Sequence, residues 1–206
     1  MEFSVPMALF DFVPVILFTV SAVIFQRDFY SRMNKGCFAV YCAGTIMVTA
    51  GGLFKATYKL LYAAGVCDFP ALSECFMPFQ ATGFTLAAIA VLAYVFGKGS
   101  EKRASSLAVV PPLVESKFLF VIFMVLGVVL AHIGYAVIAF RKKRAGAGAL
   151  FLVSMLLELG MGYLSTRDFS KASMNWIGEV TNFAGMLTLL LATNDIHKNV
   201  FNKEEN

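Results

Sequence analysis

Six stretches of this chain, about residues 5–25, 37–63, 77–97, 117–140, 146–165 and 174–193, are apolar for about the 20 residues a helix needs to cross a hydrocarbon core of roughly 30 Å. In lipid every backbone polar group must be satisfied within the segment, so such runs have one regular solution, the α-helix. The expected fold is an all-α polytopic membrane bundle of six transmembrane helices. The composition agrees: 59% of residues are hydrophobic, only 15% are charged, and the mean hydropathy is +0.74. Six spans in 206 residues leave almost nothing for a soluble domain. The chain opens with "MEFSV" rather than Lys or Arg, so the first span reads as a retained anchor and not a secretory signal.

The net charge of +4 is explained by Lys and Arg at helix ends meeting headgroups. No basic surface interleaved with aromatics points to nucleic acid. Cys37 and Cys42 have neither CxxC spacing nor nearby histidines. Cys67 and Cys75 flank "DFPALSE", a loop that would close a disulfide only in an oxidising compartment; small unpaired thiols are the alternative. HExxH, GxSxG, CxxCH and Walker A patterns are absent, and "GAGALF" at 146–151 lacks the third glycine and the preceding strand of a dinucleotide fingerprint. His132 and His197 are the two histidines, and His197 lies past the sixth span, which argues against a bis-His haem; no cofactor or metal is expected.

Residues 98–116, within "GKGSEKRASSLAVVPPLVESK", separate a first unit (1–97) from a second (117–206) and read as a linker. Its core "LAVVPPLV" is too short and proline-broken for a seventh span. The units resemble each other. Each has a basic turn after its first span ("QRDFYSRMNKG", "FRKKRAG"), close glycines in its second ("AGGLF", "LGMGY"), then "DF" at 68 or 168, and [Gln/Glu]-x-Thr-x-Phe opening its third ("QATGF", "EVTNF"). Chance matching between two Phe-rich halves is the alternative. By parity, three spans start and finish on opposite sides, so the second copy should be inverted, an arrangement that recurs in transporters. On that topology Lys and Arg divide about nine to eight between the two sides, which leaves the orientation open.

Polar residues inside the spans carry the functional reading. On an insertion scale the eight Leu, Ile, Phe and Val residues of span five contribute about 2.4–4.8 kcal/mol, and a central acid costs roughly 2.5–3.5. Glu158 therefore cancels most of that gain and should face the bundle, either protonated or paired. Ser154 lies one turn away on the same face, and the glycines at 146, 148, 160 and 162 are expected to admit another helix. In span six Asn175, Glu179 and Asn182 form a polar stripe, with Gln80 at the matching place in the first unit. Near the headgroups that stripe could equally be capping, and Trp176 beside it reads as an interfacial anchor.

Span two offers Lys55, Lys59 and Tyr62 on one face, with Lys59 expected to snorkel and Lys55 to meet an acid. Span four offers His132 and Tyr135, a face able to relay a proton, although a buried neutral His is the commoner case. Asp11, three residues before Pro14, either satisfies backbone near a kink or joins the interior network.

The leading expectation is a small-solute transporter, or the binding subunit of one, in the plasma membrane. Its site would comprise Glu158, Glu179, Asn182, Gln80, Lys55 and His132. Glu158 or Glu179 would hold the proton or cation, Lys55 would be a counter-ion, and the amides would orient the solute. In size and span number the chain is similar to the substrate-binding subunits of energy-coupling-factor vitamin transporters, but its first span has no clear small-residue AxxxA motif. The alternatives are an intramembrane enzyme acting on a lipid or isoprenoid, with His132 and Glu158 as acid and base, and a non-transporting assembly or sensor protein. Expected partners are the bilayer, a small solute, and a second copy or another membrane subunit docked on the glycine-rich faces.

Overall fold

A computed structural model of the chain describes residues 4–97, 117–164 and 172–205. Among them every regular element is helical: α1 (Val5–Phe10), α2 (Phe12–Tyr30), α3 (Lys35–Ala63), α4 (Pro70–Phe96), α5 (Lys117–Arg141), α6 (Ala145–Leu164), α7 (Ala172–Ile196), a π-helical turn (His197–Phe201) and α8 (Asn202–Glu205). Val5–Tyr30, α3, α4, Phe118–Arg141 and α6 are long and apolar enough to cross a membrane. The 25 residues of α7 span about 37 Å, which is long enough. Asn175, Glu179, Asn182, Asn194 and Asp195 dilute its apolar run, so five to six helices have the character of membrane spans. The expected linker 98–116 and the second "DF", at 168, lie outside the described residues.

Local chemistry sets the boundaries. Ser4 caps α1, its Oγ accepting from Met7 N at 3.4 Å, and Asn34 caps α3, its Oδ1 accepting from Cys37 N at 2.8 Å. Pro14 has no N–H to return to the Phe10 carbonyl, and the first span breaks at Asp11, between α1 and α2. The backbone turns left-handed at Gly65 after α3 and at Lys143 between α5 and α6.

Each helix from α2 to α7 packs on the next, and α7 returns to α2, closing a ring of six with α1 against α3 and α7. Small residues set the closest approaches. A Cβ on Gly44 would lie 2.7 Å from Gly83 O and Ala87 N, and one on Gly83 would lie 2.7 Å from Gly44 O. Gly127 meets the α4 backbone at Phe84 and Thr85 equally closely. The glycines expected to admit a neighbour are mostly different ones. A Cβ on Gly146, Gly160 or Gly162 would meet open space among the described residues, and only Gly148 is packed, against the Phe140 ring. Periodicity identifies a small-residue face but not whether another backbone arrives there. Gly83→Val should therefore destabilise the protein by about 1–3 kcal/mol or more through overpacking. Gly146→Ala should stay within about 0.5 kcal/mol. Thermal unfolding in detergent would separate them, and equal midpoints would refute this packing.

Helix directions overturn the expected inversion. Along α4 and α5 the contacts rise together: Phe84 with Gly127, Val91 with Gly134, and Val95 O accepting from Arg141 Nη1 at 2.6 Å. The same holds for α2 and the chain from α7 onward, with Asp28 bonded to His197 and Phe29 packed on Phe201. The other neighbours are antiparallel, as in Gly44 near Ala87 and Gly51 near Phe76, or Ser154 near Gly185 and Arg144 near Asp195. Thus α2, α4, α5 and α7 point one way and α3 and α6 the other. The two units run in the same direction. Parity failed because it kept residues 98–116 on one face, whereas Gly97 and Lys117, the ends they join, lie at opposite faces.

Both basic turns consequently share a face. Glu204 accepts from Lys142 Nζ at 2.6 Å and lies 3.7 Å from Arg32 Nε, and Arg144 pairs with Asp195. Arg27, Arg32, Lys35, Arg141, Lys142, Lys143, Arg144, Lys198 and Lys203 all lie toward this end. The core in this half is dense and aromatic, with Phe25 stacked on Tyr135 at 4.6 Å and the Tyr41 and Tyr135 hydroxyls 3.0 Å apart. Large apolar side chains face outward around the ring, including Ile16, Ile46 and Leu156, each 58–62% exposed.

Candidate functional site

The half away from the basic face holds a cavity of about 270 Å³. All six ring helices line it, from Asp11 just before α2 and Phe18 of α2 through Lys55, Gln80, Val128 and Glu158 to Asn182 and Met186 of α7. Most of the wall is Val, Phe, Met and Leu, and the polar groups are few, the usual character of a small-molecule site.

At one end of the bundle sits a four-charge cluster. Lys59, buried at 7% exposure, lies 3.0 Å from Asp11 Oδ2 and donates to Glu179 Oε1 at 2.5 Å. Asp11 is placed there by the proline-induced break between α1 and α2, and Glu179 by the second turn of α7. The two carboxyls also face each other, and Lys55 lies within electrostatic reach of both. Lys59 between two acids, with Lys55 in their field, offsets part of the penalty of holding charge away from water. The expected roles of the lysines are reversed. Lys59 makes the ion pairs, while Lys55 lies over the Phe76 ring at 4.9 Å and lines the cavity. Snorkelling would have carried Lys59 outward, but two acids meet it at its own level.

Glu158 belongs to a second cluster. Its side chain is 8% exposed, its Oε1 lies 3.2 Å from His132 Nε2, and Ser154 Oγ is 3.4 Å away. His132 Nδ1 is 2.8 Å from Val128 O, one turn earlier. A carbonyl only accepts, so Nδ1 carries a proton. Ser154 Oγ is 2.8 Å from Gly185 O, to which its single proton goes, so it offers only lone pairs to Nε2 at 3.3 Å. A proton on His132 Nε2 or on the Glu158 carboxyl would join the two groups at 3.2 Å. His132 and Glu158 are in hydrogen-bonding contact, and Glu158 lines the cavity.

Of the sequence-predicted residues, Lys55, Gln80, Glu158 and Asn182 line the cavity. Glu179 and His132 stand behind the wall: Glu179 is linked through Lys59 to Asp11, and His132 contacts Glu158 directly. Gln80 also donates Nε2 to Val48 O at 3.0 Å, and Asn175 is buried. Trp176 remains 39% exposed, as an interfacial ring would be. Charged groups left out of the expected site include Asp11 and Lys59, whose signals were present as an acid beside a proline and a lysine one turn from Lys55. Cys67 and Cys75 are exposed free thiols. No protein-family model, curated protein or solved structure matches the chain.

Proposed function

We propose that the chain is an integral membrane carrier, or the binding subunit of one, that holds a small solute in the central cavity with His132 and Glu158 as its proton site. The observation that carries this reading is the cavity itself, built from all six helices and both units, with Lys55, Gln80, Glu158 and Asn182 on a mostly apolar wall. A purely structural assembly role would call for a closed bundle with every charge paired.

In this reading α7 is the sixth helical span and the units form a three-plus-three repeat whose copies run in the same direction. Supporting it, Gln80 and Glu179, matched in the [Gln/Glu]-x-Thr-x-Phe motif, occur in the same half of like-directed helices, and both basic turns share a face. Parallel repeats related by an axis along the membrane normal also occur among transporters. The positive-inside tendency makes the basic face cytoplasmic.

The contact of His132 with Glu158 favours one second reading, an intramembrane enzyme using that pair as acid and base. Turnover separates the two, since a carrier releases its solute unchanged. The test is ligand-induced thermal stabilisation across a metabolite library, repeated with Glu158→Gln and Lys55→Met. Both substitutions are expected to weaken the response to a hit. A hit whose response neither substitution alters would show that the cavity is not the site.

A further inference from the structure

Resting on that cavity reading, we infer that the solute is a small anionic amphiphile, a carboxylate on an apolar body, with its head on Lys55. The charges on the wall are not equivalent. Asp11 is engaged by Lys59 at 3.0 Å, and Glu158 by His132 at 3.2 Å. Lys55 has neither an ion-pair nor a hydrogen-bond partner among the described residues; its ammonium lies over the face of Phe76. An ammonium has three donors, and a carboxylate accepts them in strong charge-assisted bonds. An anionic head would meet in Lys55 a cation of the wall without an ion-pair partner, whereas Asp11 and Glu158 each already have a basic partner.

The rest of the solute is defined by what surrounds the lysine. Phe18, Phe84, Met124, Val128 and Met186 offer no hydrogen bonds, so polar atoms beyond the head would lose water without replacement. Methionine adapts its shape, which suits a flexible chain. Asn182 is on the same wall and is the amide available to the head, since Gln80 already donates to Val48 O. A volume of about 270 Å³ equals roughly nine waters at about 30 Å³ each, room for on the order of ten non-hydrogen atoms.

Octanoate, 1-octanol and octylammonium match that size and differ in head charge. Equilibrium dialysis of each, radiolabelled, against protein in nanodiscs with empty nanodiscs subtracted reads the preference directly. Octanoate should bind on the order of tenfold more tightly than either other probe. Lys55→Met should abolish that margin by weakening octanoate binding toward that of 1-octanol, and Lys55→Arg should restore it. Octylammonium binding as tightly as octanoate, or octanoate binding unmoved by Lys55→Met, would overturn the anionic assignment. In either case, loss of 1-octanol binding on Met124→Trp, which fills the cavity, would keep the cavity reading itself. Failure of all three probes to bind the unaltered protein would overturn both.

Discussion

Lys59→Met is expected to destabilise the folded bundle by about 3–5 kcal/mol, the usual consequence of removing one partner from a buried ion pair. The substitution keeps most of the side chain's volume, so the loss is electrostatic rather than a cavity effect. Asp11 and Glu179 would be left facing each other without the ammonium between them, both buried, at 3% and 5% exposure. Lys55 is close enough to share their field but sits over Phe76 instead of between them. Lys142→Met is the control. It removes a contact of similar length, 2.6 Å to Glu204, between side chains 39% and 44% exposed, and should change stability by at most about 1 kcal/mol. Neutralising the stranded acids as well, with Asp11→Asn and Glu179→Gln in the Lys59→Met background, should recover much of the loss. A paired buried cluster and a neutral one of the same shape are often nearly equivalent. Thermal and denaturant unfolding in detergent would show it, and a Lys59→Met midpoint equal to that of Lys142→Met would refute the buried cluster.

The helices were legible because lipid leaves the backbone few alternatives, and each run announces itself by length. The inward face of Glu158 was legible for the same energetic reason: a carboxylate cancelling its helix's insertion energy has to find a partner. The identity of partners was harder. Lys55 and Lys59 are one turn apart on the same face, and choosing between them needed the depth of Asp11 and Glu179, which are 48 and 120 residues from Lys59 in sequence. Depth comes from where α1 breaks and α7 begins, and neither is a property of α3. The close glycines behaved similarly. Gly44 and Gly83 matter because they meet each other, while Gly160 and Gly162 lie in an equally suggestive run and face open space among the described residues. The direction of the second unit was misjudged for another reason. Parity counts spans alone and does not register that Gly97 and Lys117 lie at opposite faces.

That correction yields an all-or-none prediction. A bundle whose units run in the same direction puts the α3–α4 loop and the α5–α6 turn on opposite faces; an inverted three-plus-three arrangement puts them on the same face. Cys67 is exposed in the first of these, and Lys143 is exposed in the second. A variant retaining Cys67 as its sole thiol should react with a membrane-impermeant maleimide on intact cells. A variant lacking the native cysteines and carrying Lys143→Cys should react only after permeabilisation. The sidedness follows from charge: nine Lys and Arg, from Arg27 to Lys203, gather toward one end. Near an anionic cytoplasmic leaflet each contributes up to about 1 kcal/mol, which together far exceeds thermal energy. The two lysines of α3 near the other end, Lys55 and Lys59, are turned inward, to the cavity and to the acid cluster, and oppose this orientation little. Labelling of both positions from the same side would sink the direction assigned to α5–α7. Labelling of Lys143→Cys alone on intact cells would keep the helix directions and reverse only the membrane orientation. In that case the cavity half would face the cytoplasm, and the basic face would stand against the positive-inside tendency.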